Sequence, residues 1–264
     1  MRLRADSGQK KVQIIDLTPQ NIQDYGVCGF KDVHKHVELR RKIDWFREHY
    51  PEGLRIKALI SETGTYQGML EYVPAKHAHR PVSAPGYMFI HCLFVGFRKE
   101  FKGKGYASLM IDECIKEAKS AGMIGVAVVT RKGPFMAKKG IFLKNGFSVV
   151  DHAEPDFELL TLKFNAGAAD PKFKNMSSAK YQNGLTIIRS PQCPYSEKNV
   201  NEIVQTAKSM KMTATVVDLK DASMAQGAPC AFGTFCILFN GEVISHHPIS
   251  STRFRNIMKS RSLA

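Results

Sequence analysis

The sequence predicts an α/β chain of two domains, a mixed sheet with flanking helices followed by a smaller α/β domain. Three observations predict it. Apolar runs of strand character alternate with runs of helical spacing along most of the chain. The 264 residues exceed one typical domain, since compact domains run roughly 100–200 residues. Composition shifts at residues 165–182, where Gly, Ala, Ser, Lys and Pro171 dominate and a linker is expected. The expected division is 1–165, a linker over 166–182, and 183–264.

The elements follow in order. Val12–Leu17 is a strand, and a polar helical stretch opens after Pro19. Val37, Ile43, Trp45 and Phe46 give a helix that stops at Pro51. Residues 56–61 and 67–73 pair as a hairpin across Glu62-Thr63-Gly64-Thr65. Residues 74–85, basic and rich in His and Pro, are expected to form a loop that faces substrate or moves. Tyr87–Val95 is apolar on both alternating sets, the pattern of a strand buried on both faces.

A helix over Tyr106–Ser120 follows, with Ala107, Met110, Ile111, Cys114 and Ala118 as its apolar stripe. Residues 124–130 form a further strand, 136–144 a short helix, and 147–151 and 157–164 two strands. Beyond the linker come a strand at Leu185–Arg189, a helix carrying Val200, Ile203, Val204 and Ala207, and a strand at 215–219. A hairpin then joins Phe235–Phe239 to 243–247 through Asn240-Gly241. Phe254, Ile257 and Met258 mark a last helix.

Net charge is +14, which favours an anionic partner: nucleic acid, a membrane surface or a phosphorylated cofactor. The chain has no recognisable reader helix or aromatic RNA motif, so no nucleic acid partner is expected. No apolar run approaches the roughly 20 residues that span a bilayer. Met1-Arg2-Leu3-Arg4 leads into polar residues rather than a secretory segment, so a cytoplasmic protein with reduced thiols is expected. Its six cysteines include no Cys-x-x-Cys pair and no zinc-like spacing, and no structural metal is expected. His34, His36, His77 and His79 are assigned to the solvated surface. Cys28, Cys92, Cys114 and Cys236 are assigned as small buried hydrophobes.

Phe101-Lys102-Gly103-Lys104-Gly105-Tyr106-Ala107 lies between a buried strand and an amphipathic helix. A helix N-terminus exposes backbone N–H groups and partial positive charge. Glycines let that backbone approach a phosphate and adopt positive φ. Arg98, Lys99, Lys102 and Lys104 add charge. The turn therefore suits a pyrophosphate. Its spacing is neither the dinucleotide Gly-x-Gly-x-x-Gly nor a Walker A loop.

Lys102, Gly105 and Ala107 resemble the cofactor motif Gln/Arg-x-x-Gly-x-Gly/Ala of the GNAT N-acetyltransferase superfamily, with lysine in place of the usual first residue. Ile141-Phe142-Leu143-Lys144-Asn145-Gly146-Phe147 resembles that family's Tyr-x-x-x-Gly-Phe signature. The resemblance covers residues 11–165 and implies an acyl-CoA N-acyltransferase fold with acetyl-CoA as co-substrate. It implies a splay between the Tyr87–Val95 and 124–130 strands, where Leu93, Phe94 and Val95 bond the pantetheine arm. The backbone of Lys102, Gly103, Lys104, Gly105, Tyr106 and Ala107 would hold the pyrophosphate. A neutral primary amine, small or protein-borne, would attack the thioester directly, and a strand N–H would stabilise the oxyanion. The family's tyrosine acid falls at Phe142, which has no proton to donate. His91 and Glu71 are the candidate bases, each also readable as a structural residue.

The order strand, Cys193 turn, helix, strand, hairpin, helix resembles a thioredoxin-like fold over 183–264. Cys193-Pro194-Tyr195-Ser196 resembles a monothiol glutaredoxin turn, and a cysteine at a helix start tends towards thiolate. Gly233 stands where that fold places a cis-proline. Cys230 is a resolving thiol or an uninvolved cysteine. The pairing of the two domains resembles the YoaP-type bacterial acetyltransferases. Two other readings stay open: a thiol-redox protein whose first domain only binds CoA, and a non-catalytic acyl-CoA-binding module.

Overall fold

A computed structural model describes residues 12–96 and 98–262. The chain start, expected to carry no secretory segment, lies outside the described residues. Two compact units divide the chain: unit 1 runs to Ala78 and from Val82 to Phe173, and unit 2 takes His79–Pro81 and the chain from Lys174 onward.

Unit 1 begins with β1 (Val12–Leu17), α1 (Ile22–Tyr25), α2 (Val37–His49), β2 (Arg55–Ser61), β3 (Tyr66–Pro74), β4 (Val82–Ser83) and β5 (Tyr87–Val95). It continues with α3 (Tyr106–Ser120), β6 (Gly125–Thr130), α4 (Lys139–Lys144), β7 (Ser148–Ala153), β8 (Phe157–Lys163) and β9 (Lys172–Phe173). Seven strands form one sheet in the order β1-β2-β3-β5-β6-β8-β7. The β5–β6 pair is parallel and the other neighbours are antiparallel.

The expected α3 stripe packs on one face of this sheet. Met110, Ile111, Cys114 and Ala118 meet Leu70, Tyr72, Met88, Ile90 and Leu93 in one buried cluster. Burying each large apolar side chain contributes about 1.5–3 kcal/mol. A polar tie accompanies it: Tyr72 Oη donates to Glu117 Oε2 at 2.6 Å, and Lys57 Nζ reaches Asp16 and Glu117, each at 2.5 Å. On α2, Ile43, Trp45 and Phe46 are buried as the spacing predicts, but Val37, at the first helical position, is exposed, and Leu39 is buried in its stead. Lys42 is buried with them, which the apolar pattern did not indicate.

The loop expected at 74–85, read as facing substrate or moving, is largely buried. Ala75, Ala78, His79, Arg80 and Val82 are all buried, so His79 is not a surface histidine. β4 pairs with β9, and the Phe173 N–H donates to Asp151 Oδ2 at 2.8 Å. Residues 172–173, inside the expected linker, therefore belong to a small second sheet. The His and Pro content suggested exposure, whereas Val82 and the short ladder demand burial.

Unit 2 contains β10 (Leu185–Arg189), α5 (Pro194–Ser209), β11 (Ala214–Asp218), α6 (Ala222–Gln226), β12 (Phe235–Phe239), β13 (Glu242–Ser245) and α7 (Ser251–Ser262). Its sheet has the order β11-β10-β12-β13, with β10 parallel to β11 and the other pairs antiparallel. Asn240 and Gly241 both take positive φ, 48° and 82°, as a two-residue hairpin turn requires. Arg189 ties β10 to β11 and α5 through Asp218 at 2.7 Å and Glu197 at 2.8 Å. The five-residue α6 was not expected; its start is capped by Asp221, which accepts from the Met224 N–H at 2.8 Å. At Gly233 a Cβ would lie 2.8 Å from the His79 carbonyl oxygen, so close backbone approach, as well as φ 74°, calls for glycine.

Candidate active site

The β5–β6 ladder runs from Tyr87↔Gly125 to Ile90↔Val128 and stops. From His91 onward β5 stays with β3 while β6 continues beside β8. The two central strands thus part at His91. At the same place the β3–β5 register slips: Glu71 faces Cys92, Tyr72 faces Ile90, and His91 is the extra residue. That is a β-bulge, which re-aims a strand and raises its twist.

Beyond β5 the chain makes a single 3₁₀ turn over Lys99–Phe101 and enters the glycine segment. Gly103 and Gly105 take φ of 70° and 80°, and a Cβ at either would meet nothing within 4 Å. Conformation, not space, selects glycine here. Gly105 caps α3 and accepts from the Leu109 N–H at 3.1 Å. The Tyr106, Ala107 and Ser108 amides precede that first intrahelical bond.

A cleft of about 270 Å³ opens at the parting of the strands, lined by Leu93, Phe94, Val95, Phe101 to Ala107, Ala137 and Ile141. All nine residues proposed for the cofactor line it: Leu93, Phe94, Val95, Lys102, Gly103, Lys104, Gly105, Tyr106 and Ala107. One detail is corrected. The Lys102 N–H is committed to the Lys99 carbonyl at 3.0 Å, so that amide is not open to a phosphate. Ala137 and Ile141, on the approach to and within α4, were not anticipated as lining residues.

His91 and Glu71 do come together, but away from the cleft wall. Both side chains have 0% exposure. His91 Nδ1 lies 3.2 Å from Glu71 Oε1, and Lys42 Nζ donates to Glu71 Oε2. Trp45 covers the group, its ring 4.2 Å from Lys42 Nζ and 6.3 Å from the His91 ring. Burial alone would raise the Glu71 pKa; the Lys42 charge and the His91 hydrogen bond outweigh it and hold the carboxyl at about 2. Glu71 is therefore a paired carboxylate at neutral pH, too weakly basic and too enclosed to deprotonate an amine. His91 likewise contacts Glu71 and aromatic rings, and only its residue-level exposure of 7% reaches the surface. Lys42 was missed because it occupies a core position of α2.

Phe142 is buried at 1% exposure, edge-on to Phe147 at 5.5 Å, and its neighbour Ile141 lines the cleft. In unit 2, Cys193 immediately precedes α5 with Pro194 at the first helical position, and Ser196 Oγ donates to its carbonyl at 2.7 Å. Cys230 is buried, its Sγ 3.4 Å from the Phe235 carbonyl oxygen. Burial pushes the Cys236 thiol well up. Cys28 and Cys114 are buried as expected, and Cys92 is half-buried. Among the described residues no helix is long and apolar enough to cross a membrane, and no group of three or more His, Cys, Asp or Glu could hold a metal ion.

Residues 20–147 match the model of the Acetyltransferase (GNAT) family, and residues 214–256 match the YoaP-like model. The chain is 29% identical over 251 residues to the uncharacterized N-acetyltransferase YoaP of Bacillus subtilis strain 168, covering 93% of this chain and 98% of that protein. Among solved structures, PaiA N-acetyltransferase from Thermoplasma acidophilum, in complex with coenzyme A, matches at 14% identity and a TM-score of 0.41, over 58% of this chain and 99% of that one. A GNAT family acetyltransferase from Brucella melitensis, in complex with acetyl-CoA, matches at 16% and 0.38, over 62% and 96%. The match to the GNAT family thus lies, apart from His79–Pro81, within unit 1, over the segment that contains the parted strands and the glycine turn.

Proposed function

We propose that unit 1 is an acyltransferase domain of the GNAT type and that the chain transfers an acetyl group from acetyl-CoA to a primary amine, carried by a small molecule or a protein. The observation that carries this reading is the glycine-rich turn at the cleft beside the parted strands. The backbone from Gly103 to Ala107 takes the pyrophosphate, and Lys102 and Lys104 balance its charge. Leu93, Phe94 and Val95 run beside the pantetheine arm. A backbone N–H on the β6-facing edge of β5 bonds the thioester oxygen as it becomes an oxyanion.

The amine attacks directly in a ternary complex, forming a tetrahedral carbon that collapses with loss of the CoA thiolate. Holding both reactants in the splay supplies much of the acceleration. The buried positions of Glu71, His91 and Phe142 leave proton removal to water and let the thiolate depart without a side-chain acid.

Unit 2 is assigned a thioredoxin-like fold, supported by its β11-β10-β12-β13 order and by Cys193 at the start of α5. We place the protein in the cytoplasm, where its cysteines, none in a disulfide among the described residues, would remain reduced. Titration calorimetry with CoA and acetyl-CoA, followed by free-thiol release across a panel of amines, tests the assignment. Binding with acetyl transfer supports it; no binding of either ligand overturns it. Tight binding without turnover on any amine would favour an acyl-CoA-binding module.

A further inference from the structure

The bulge that parts β5 from β6 is held by a buried ionic group. His91 is its extra residue, and Glu71 faces it across the register slip. Glu71 spends one carboxylate oxygen on His91 Nδ1 and the other on Lys42 Nζ. Lys42 comes from α2, outside the sheet, and Lys42, Glu71 and His91 side chains are all fully enclosed. A bulge alone is a soft feature, since its extra residue is left out of the ladder. Here that residue is clamped to the neighbouring strand, and the neighbouring strand to a helix.

A buried charge pair of this kind is a poor device for stability. Replacing such a pair with apolar residues of similar size is often neutral or stabilising, while removing one partner strands the other charge. Packing alone therefore does not explain Lys42 and Glu71. The neighbouring backbone does: His91 to Val95 carries the edge that leaves β6 and lines the cleft.

We propose that Lys42, Glu71 and His91 are positioning residues, a buried clamp that fixes the β5 bulge so that the backbone beyond it is set for the acetyl thioester. The clamp rests on the acetyl-CoA reading, and it predicts a split between two ligands. CoA shares the glycine turn and the pantetheine contacts at Leu93, Phe94 and Val95 but lacks the acetyl group. Acetyl-CoA also engages the edge that the clamp sets. His91 Nδ1 lies within hydrogen-bond distance of the Glu71 carboxylate, and Lys42 opposes the carboxylate charge from α2.

The test uses the full chain. Lys42→Met strands Glu71 and is expected to fold poorly, so the informative variant is Lys42→Met combined with Glu71→Met. It should fold and bind CoA within about twofold of wild type, while its preference for acetyl-CoA over CoA disappears. Amide hydrogen exchange at Cys92 and Leu93 should rise about tenfold or more, the loss expected from one buried charge-assisted hydrogen bond. The His91 imidazole N–H signal, protected in wild type, should vanish from the nitrogen-correlated spectrum. His91→Asn, which keeps an amide donor near Nδ1, should restore most of the protection that His91→Leu removes. Unchanged exchange at Cys92 and Leu93 in the double variant overturns the clamp. Loss of CoA binding by wild type would instead overturn the cofactor reading, and the two failures are distinct.

Discussion

His91 Nδ1 lies 3.2 Å from Glu71 Oε1 at the one point where β3 and β5 slip register. The contact turns a pair of apparent catalytic bases into an internal ion group with Lys42. Its electrostatics show in the acid limb of stability. The Glu71 pKa is held at about 2 when folded, against an ordinary value near 4.5. A depressed carboxylate stabilises the fold above its ordinary pKa, and that stability is lost as pH falls towards the folded value. Thermal melts from pH 7 down to pH 2 should therefore fall steeply below about pH 4.5. In the Lys42→Met, Glu71→Met double variant that slope should be shallower, and an identical slope would show that other carboxylates set it.

Gly105 faces the opposite kind of constraint, conformational and not steric. At φ 80° an L side chain is strained, although its Cβ would sit in open space. Gly105→Ala should cost about 1–2 kcal/mol of stability with CoA affinity reduced only modestly. Gly105→Glu adds a carboxylate where the pyrophosphate is placed and should lower CoA affinity by about a hundredfold or more. Calorimetric titration of both variants separates strain from charge. Equal affinity for CoA in wild type and Gly105→Glu would move the cofactor away from this turn.

The glycine turn was legible because its signal is local. Two glycines, a helix stripe and flanking lysines lie within about twenty positions, and α3 was predicted to its observed ends at Tyr106 and Ser120. The clamp was not legible, because Lys42, Glu71 and His91 come from three elements and a lysine in a helix reads as solvated. The loop at 74–85 misled for a related reason. Its His and Pro content resembles a surface loop, yet Val82 and Ser83 find their partners in Lys172 and Phe173, some ninety positions away. Sequence spacing reports neighbours along an element; it is silent on pairings that only the folded sheet creates.

Phe142 stands where the resembling family has a tyrosine, and the obvious repair should fail. The ring is buried at 1% exposure against Phe147, while the cleft is lined by Ile141 and Ala137. A hydroxyl added there enters an apolar cluster and costs about 1–3 kcal/mol unless a partner meets it. Phe142→Tyr should lower the melting temperature by several degrees and leave the pH–rate profile of acetyl transfer unchanged. A new alkaline limb in that profile would show that the hydroxyl reaches the leaving thiolate.

Cys193 tests whether unit 2 contributes covalent chemistry. Direct attack by the amine forms no enzyme-bound acyl group, so Cys193→Ser should retain acetyl transfer within about threefold, the scale of a small positional change. Intact-mass measurement after incubation with acetyl-CoA should show no added acetyl mass on wild type. A stable adduct that is absent in Cys193→Ser would demand a two-step mechanism through the thiol.

Lys57 links β2 to β1 and α3, and it should govern the alkaline limb. Desolvation alone would lower its pKa, but hydrogen bonds to Asp16 and Glu117 outweigh that and raise it above 10.5. A raised lysine stabilises the fold at every pH below its ordinary value, and the contribution disappears as pH climbs through the folded value. Asp16 is 71% and Glu117 41% exposed, so both remain solvated once the lysine is gone. Lys57→Met keeps most of the buried aliphatic stem and should cost only about 1 kcal/mol at neutral pH, the scale of partly exposed ion pairs. Melting temperatures followed above pH 10 should then decline less steeply in Lys57→Met than in wild type. If the two profiles stay parallel across that range, the Tyr72–Glu117 bond at 2.6 Å, and not the lysine, holds α3 to the sheet.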